Sequence, residues 1–509
     1  MNLARLLAVA LALLLAPAGF AQEHPEHQDR EHAQRAERGS GGEQRPHGPG
    51  VLALLPPDSV TEHTLDADGV KLAYTATAGT LNLYEQSGER SAALFYTAYV
   101  LKGGGPNRPV TFAFNGGPGA ASAYLHLGLV GPKILDFGPG ARDAATARLR
   151  DNPQTWLTFT DLVLIDPIGT GWSRTVKPDN TSFYGVGPDA QVVAKAIALY
   201  LSHSSRTASP KYLLGESYGG FRALKVARAL QESQGHVVTG IIMLSPLIDG
   251  SLVFGGDQLA LKAAVDLPSM AAAELERRHA FTPEALAQAE HFAFTDYLTT
   301  LAGPAPQGEA ARAFYAKVAQ LTGLPVDLVE KSRGFVQNAY IKRTREAQRE
   351  IVSRYDADFA VPDPYPDSLS DTGSDPILDG LTRAYAGAFV GYARDELGFK
   401  TEMTYELLAR DIAGKWNWGH KRSAPDATGD LRELLALTPS FRFVVAHGYT
   451  DLVVPYAVNR YVLDHIPPIG APGRTALKLY RGGHMFYTNQ ASRIAFTADA
   501  KAFYGAPSQ

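Results

Sequence analysis

The 509 residues contain no cysteine. That excludes disulfides, thiolate metal sites and a lipid-modified amino-terminal cysteine. Long apolar runs are almost as scarce. The one at the start, Leu6–Ala16 within MNLARLLAVALALLLAPAGFAQE, is too short for a spanning helix, which needs ~20 residues. It follows a basic Arg5 and precedes the small residues Ala18–Ala21, the layout of a secretory signal peptide. We read residues 1–21 as that signal, cleaved after Ala21 with Ala18 as the alternative, and expect an exported protein, periplasmic or extracellular, with no membrane span. Neither sign of charge dominates. The 48 basic and 52 acidic side chains leave a net −4 and are interspersed, so there is no nucleic-acid footprint and no membrane-seeking helix. Residues 22–50 have almost no apolar side chains and read as a disordered linker. Its His24, His27, His32 and His47 have no spacing that fixes a metal geometry and read as a solvated tail. No metal and no organic cofactor is expected, and oligomeric state is not legible.

What is present from residue 51 onward is a pattern of buried strands and helices. Strand-like runs at Val70–Ala78 and Ala92–Leu101 come first. Val110–Phe114 then leads into NGGPG, Leu162–Asp166 into PIGTGWS, and Lys211–Leu214 into GESYG. Val237–Leu244 is a further strand. Near the carboxyl end Phe441–Ala446 leads into HGYTD and Ala476–Tyr480 into RGGHMF. Buried strands alternating with helices predict an α/β fold: a mostly parallel central sheet, helices on both faces, functional loops at the strand carboxyl ends. We place a first part of this core at 51–250 and a second at 431–509. Between them, 251–430 is helix-rich (Ala260–Ala280, Pro283–Leu301, Ala310–Leu321, Leu324–Arg349), with a Pro/Asp/Ser-rich loop at Val361–Asp375. That stretch reads as a helical cap insertion.

Ser217 carries the chemistry. KYLLGESYGGFRALKVARAL is an apolar run, then G-E-S-Y-G, then helical periodicity through Leu224, Val226, Ala227 and Leu230. Strand, sharp turn and helix are what a nucleophile elbow requires, with glycines allowing the turn and the serine at its tip. G-x-S-x-G fixes only three positions, so partners are needed. Asp451, after Phe441–Ala446, and His484, after Ala476–Tyr480, follow in the order such a fold uses. His484 would take the proton from Ser217 Oγ and return it to the leaving group; Asp451 would fix the imidazole tautomer. Taken singly, Asp451 could equally be a turn cap and His484 a satisfied loop histidine. His420, His447 and His465 are rival bases, but none has the strand–Gly–Gly approach of His484. The backbone N–H groups of Gly117 and Tyr218 are the candidate oxyanion hole.

NGGPG at Asn115–Gly119, DPIGTGWS at Asp166–Ser173, GESYGG at Gly215–Gly220, GYTDLVVP at Gly448–Pro455 and GGHM at Gly482–Met485 occur together and in order. In this they resemble the serine carboxypeptidase family, within the α/β-hydrolase fold, of a bacterial exported type. The resemblance implies release of carboxy-terminal residues from peptides through an acyl-enzyme on Ser217. It also implies that Asn115 and Glu216 bind the substrate's free carboxylate. The chain departs from the family pattern where the second glutamate of the clamp would stand, which is Leu129 here. Ala113 replaces a tryptophan, and Ala120 and Ala121 replace residues after NGGPG. Two carboxyls sharing a proton explain carboxylate binding, since neighbouring like charges cannot both ionise. Without the partner, either burial must keep Glu216 protonated or the carboxylate is held otherwise. His126, one turn before Leu129, reads as a packed histidine.

The function expected is a serine-type carboxypeptidase acting on peptides with a free carboxyl terminus. An esterase or acyltransferase on the same scaffold is the alternative, kept open by Leu129. A non-catalytic relative is disfavoured by the complete set of Ser217, Asp451 and His484.

Overall fold

The computed structural model describes residues 50–138, 143–177, 180–419 and 425–505. The signal-peptide reading, nearly all of the linker reading, the tail histidines and His420 lie outside these residues. Fourteen strands are described: β1 (Ser59–Ala67), β2 (Val70–Tyr84), β3 (Arg90–Leu101), β4 (Val110–Phe114), β5 (Lys133–Asp136), β6 (Arg148–Asp151), β7 (Asp161–Ile165), β8 (Arg174–Thr175), β9 (Lys211–Glu216), β10 (Gly240–Leu244), β11 (Glu350–Val352), β12 (Ala360–Pro362), β13 (Arg442–Gly448) and β14 (Thr475–Tyr480). One large sheet runs β1-β2-β3-β7-β4-β9-β10-β13-β14, with β8 on β3. The pairings among β1, β2, β3, β7 and β8 that involve β2 or β3 are antiparallel, and every pairing from β7 to β14 is parallel. This is the α/β architecture the motif order predicted.

Period-2 alternation gives the sheet two apolar faces. On β10, Ile241 and Met243 join one core and Ile242 and Leu244 the other; on β13, Phe443 and Val445 oppose Val444 and Ala446. Helices Val186–His203 and Tyr218–Gln234 cover the first face, and Ala384–Asp395 and Gln490–Gly505 the second. With both faces covered, the central strands β4, β7, β9 and β10 are buried along their whole length and mostly apolar, as buried parallel strands are. A separate apolar cluster holds the helices Ala260–Arg277 and Gly308–Thr322 together with β11.

The local differences from expectation have identifiable causes. The strand expected from Val237 begins only at Gly240, because the chain is still leaving the preceding helix: His236 N–H donates to Leu230 at 3.0 Å and Val237 is exposed. Leu324–Arg349 is not one helix. It is broken into Val326–Lys331 and Gln337–Arg343, where Arg333 and Gly334 take left-handed φ of 53° and 86°, and ends at Arg349 with φ 56°. The hairpins β5–β6 and β11–β12 were not foreseen; strands of three or four residues carry too little periodicity to register. Among the described residues no helix is long and apolar enough to cross a membrane.

Candidate active site

Parallel register brings the candidate residues to one edge. Glu216 at the end of β9 pairs with Leu244 of β10, Leu244 with Ala446 of β13, and Gly448 with Tyr480 of β14. The segments holding Ser217, Asp451 and His484 therefore all leave the sheet at its carboxyl-terminal edge.

Ser217 has φ 59° and ψ −125°, a sparsely populated region that strand-to-helix elbows impose on the residue at their tip. The flanking glycines are forced by contact. A Cβ on Gly215 would lie 2.0 Å from the Gly219 carbonyl oxygen, and one on Gly219 would lie 2.6 Å from that of Phe114. The Ser217 side chain is half-buried, and among the described residues its hydroxyl makes no hydrogen bond. Catalytic hydrogen bonds of this kind often tighten only when substrate binds.

Asp451 and His484 are brought together. Both are buried, and His484 Nδ1 lies 2.7 Å from Asp451 Oδ2. Asp451 Oδ1 accepts from the N–H groups of Val453 and Val454 at 2.7 and 3.1 Å, so the carboxylate is fully committed and cannot rotate away. Burial pulls the imidazole down, but the Asp451 charge and hydrogen bond, together with Glu216, carry His484 above its ordinary pKa. Of the rivals, His447 is buried 3.8 Å from Asp451 and is pushed down to about 4, chiefly by burial. His465 bonds the Tyr461 carbonyl of its own helix end.

The NGGPG loop lies against the elbow. A Cβ on Gly116 would fall 2.6 Å from Tyr218 N, and Gly117 has φ 101°. The Gly116–Gly117 peptide is thus held beside the Tyr218 amide. Among the described residues neither the Gly117 nor the Tyr218 N–H donates to another backbone group. Arg222 on the elbow helix braces the loop through the Asn115 carbonyl and pairs with Asp189.

Asn115 and Glu216 meet as a buried pair, Asn115 Nδ2 donating to Glu216 Oε2 at 2.8 Å, while Asn115 Oδ1 accepts from Leu125 N–H. Sequence reasoning missed the third member. Tyr487, three residues past His484 in HMFY, donates its hydroxyl to the same Oε2 at 2.7 Å. Its ring packs over Gly128, where a Cβ would be 2.7 Å from the Tyr487 ring, next to the buried Leu129. Tyr124, Tyr355 and Tyr385 also lie within electrostatic reach of Glu216. Burial pushes the Glu216 carboxyl up to about 7, against His484, Tyr487 and Asn115, which pull it down, and with Asp451, which pushes it up. His126 is packed as expected, bonded to the Tyr99 hydroxyl at 2.6 Å.

Residues 72–251 match the family model described as serine carboxypeptidase. The resemblance is to the serine carboxypeptidases. The matched stretch includes NGGPG, the PIGTG loop and the elbow. Among solved structures, a prohormone-processing carboxypeptidase from Saccharomyces cerevisiae, Kex1(Δ)p, aligns with a TM-score of 0.53 at 15% identity, over 85% of this chain and 91% of its own. The peroxisomal α/β-hydrolase Lpx1 of the same yeast aligns at a TM-score of 0.35 and 11% identity, over 89% of this chain and 90% of its own. At 15% identity the likeness to Kex1(Δ)p is one of fold. No curated protein matches in sequence. Among the described residues no cluster of His, Asp or Glu could hold a metal ion.

Proposed function

We propose that the protein is an exported serine-type carboxypeptidase that removes carboxy-terminal residues from peptides, with Ser217 as nucleophile, His484 as base and Asp451 as its orienting acid. Ser217 Oγ attacks the scissile carbonyl while His484 Nε2 accepts its proton. The tetrahedral oxyanion is stabilised by the Gly117 and Tyr218 N–H groups, and His484 then protonates the departing amine. Water repeats the sequence on the acyl-enzyme. The observation that carries this reading is the strained elbow at Ser217, with the Asp451–His484 hydrogen bond leaving the same sheet edge.

Glu216 and Asn115 receive the substrate carboxylate. Oε2 already accepts from Asn115 and Tyr487, so a proton on Glu216 sits on Oε1 and is offered to the substrate. In this reading Tyr487 partners Glu216 in place of a second carboxyl, and burial replaces proton sharing as the reason Glu216 is protonated near neutrality. The separate helical cluster that includes Ala260–Arg277 and Gly308–Thr322 serves as a cap over this edge, whereas Ala384–Asp395 belongs to the sheet core.

A fluorophosphonate tests the nucleophile. Wild type is labelled and Ser217→Ala is not; labelling of both proteins contradicts the assignment.

A further inference from the structure

The ends of β13 and β14 fix where the Asp451 and His484 loops begin, but a catalytic pair must be held to within ~0.5 Å at its far end as well. The turn joining β11 to β12, Ser353–Phe359, supplies that second hold. Leu452 N–H donates to the Arg354 carbonyl at 3.0 Å and Ala357 N–H donates to the Thr450 carbonyl at 2.9 Å, bonds that bracket Asp451 on either side. His484 N–H donates to the Tyr355 carbonyl at 2.6 Å, and the Tyr355 ring stands edge-on to the imidazole with centroids 5.2 Å apart. A Cβ on Gly483 would lie 1.9 Å from that same carbonyl oxygen, so the His484 loop is pressed onto the turn.

One side chain joins the two loops. Asp356 Oδ1 accepts from Thr450 Oγ1 at 2.6 Å and from the Asp358 N–H at 3.1 Å, and the residue is pressed onto the His484 loop, where a Cβ on Gly483 would lie 2.7 Å from the Asp356 Cβ. The turn is itself anchored: Asp375 accepts from Ser353 Oγ at 2.7 Å and from Arg354 N–H at 2.9 Å. Asp356, Thr450 and Gly482 also line a cavity of about 850 Å³ whose walls do not include Ser217. The hydrogen bonds of Asp356 go to Thr450 and Asp358, not to the side chains of Asp451 or His484. We propose that Ser353–Phe359 is a positioning strap that sets the Asp451–His484 geometry from outside the parallel sheet, with Asp356 as the side chain that pins it. This rests on reading Asp451 and His484 as acid and base.

The test compares Asp356→Ala, Asp356→Asn and Thr450→Val with wild type in the full-length mature protein, each checked for a cooperative thermal transition. Asparagine keeps the acceptor for Thr450, and valine removes the Thr450 donor at nearly constant shape. Displacements below 1 Å at a catalytic pair cost ~10–100-fold in rate. We expect Asp356→Ala and Thr450→Val to react with a fluorophosphonate about 10–100-fold more slowly, to lower kcat on peptides alike with KM within about twofold, and to weaken the downfield proton resonance of the imidazole N–H shared with Asp451. Asp356→Asn recovers most of the rate. Folded Asp356→Ala and Thr450→Val proteins that react at the wild-type rate and keep that resonance overturn the strap. If Asp356→Ala does not fold, Thr450→Val decides alone. If wild type does not react with the fluorophosphonate, the Ser217 reading fails, and the resonance still decides the strap.

Discussion

The Tyr487 hydroxyl donates to Glu216 Oε2 at 2.7 Å across 271 residues of sequence, in a structure where the buried Leu129 stands at the position for which the resemblance to serine carboxypeptidases implies a second glutamate. A phenol cannot share a proton with a carboxyl as a second carboxyl does. It can fix which oxygen carries the proton and lower the cost of ionising it. Tyr487→Phe removes a hydrogen bond worth ~1 kcal/mol, about fivefold in KM for a carboxylate-bearing peptide. Because Tyr487 pulls the Glu216 pKa down, its loss moves the alkaline rise in KM to higher pH. A KM–pH curve superimposable on that of wild type would show that Tyr487 only fills space.

The pH profile follows from two groups with opposite requirements. In the role proposed for it, His484 must be neutral, and its pKa lies above the ordinary imidazole value, so activity should fall on the acid side. Glu216 must be protonated to receive a carboxylate and titrates at about 7, so binding falls on the alkaline side. The two interact and titrate as a pair. The expected kcat/KM profile for a peptide acid is a bell near neutrality. In Glu216→Gln the alkaline limb disappears and the acid limb remains. An alkaline limb retained in that variant would assign it to another group.

Arg222 offers a stability test with a catalytic echo. Its guanidinium is buried, bonded to Asp189 at 2.6 Å and to the Asn115 carbonyl, and lies over the Tyr218 ring at 5.0 Å. Removing one member of a buried ion pair costs ~3–5 kcal/mol because the other charge is left uncompensated. Arg222→Met should lower the urea-unfolding free energy by about that much, and Asp189→Leu in the same chain should recover part of it. A loss confined to a few tenths of a kcal/mol would show that the pair is not holding the loop.

Export gives a covalent readout. Cleavage after Ala21 leaves Gln22 as the first residue, so intact-mass and amino-terminal sequencing of protein recovered outside the cytoplasm should find that start. An intact Met1 on the exported protein would contradict the signal-peptide reading.

The parts of the site legible in the sequence are those whose constraints are local. GESYG is readable because Gly215 and Gly219 must be glycine where their backbones meet. The loops of Asp451 and His484 are readable because each follows an apolar strand at short range. Tyr487 was not, since its partner is fixed only when the edge at β9 and the turn after β14 come together. Asp356 was missed for the same reason: its hairpin has strands of three residues, and its partner Thr450 lies 94 residues away in sequence. The break at Arg333–Gly334 shows the converse error, an apolar periodicity that continued while the backbone did not.

If Glu216 and Asn115 receive the substrate carboxylate, the protein must distinguish a free carboxyl terminus from a blocked one. Comparing kcat/KM at pH 6 for an N-blocked dipeptide and for the same dipeptide as its carboxamide measures that discrimination. The free acid should be turned over at least about tenfold faster, the equivalent of ~1.4 kcal/mol of binding at Glu216 and Asn115. Equal turnover of acid and amide would contradict that binding and leave a general acyl hydrolase on Ser217.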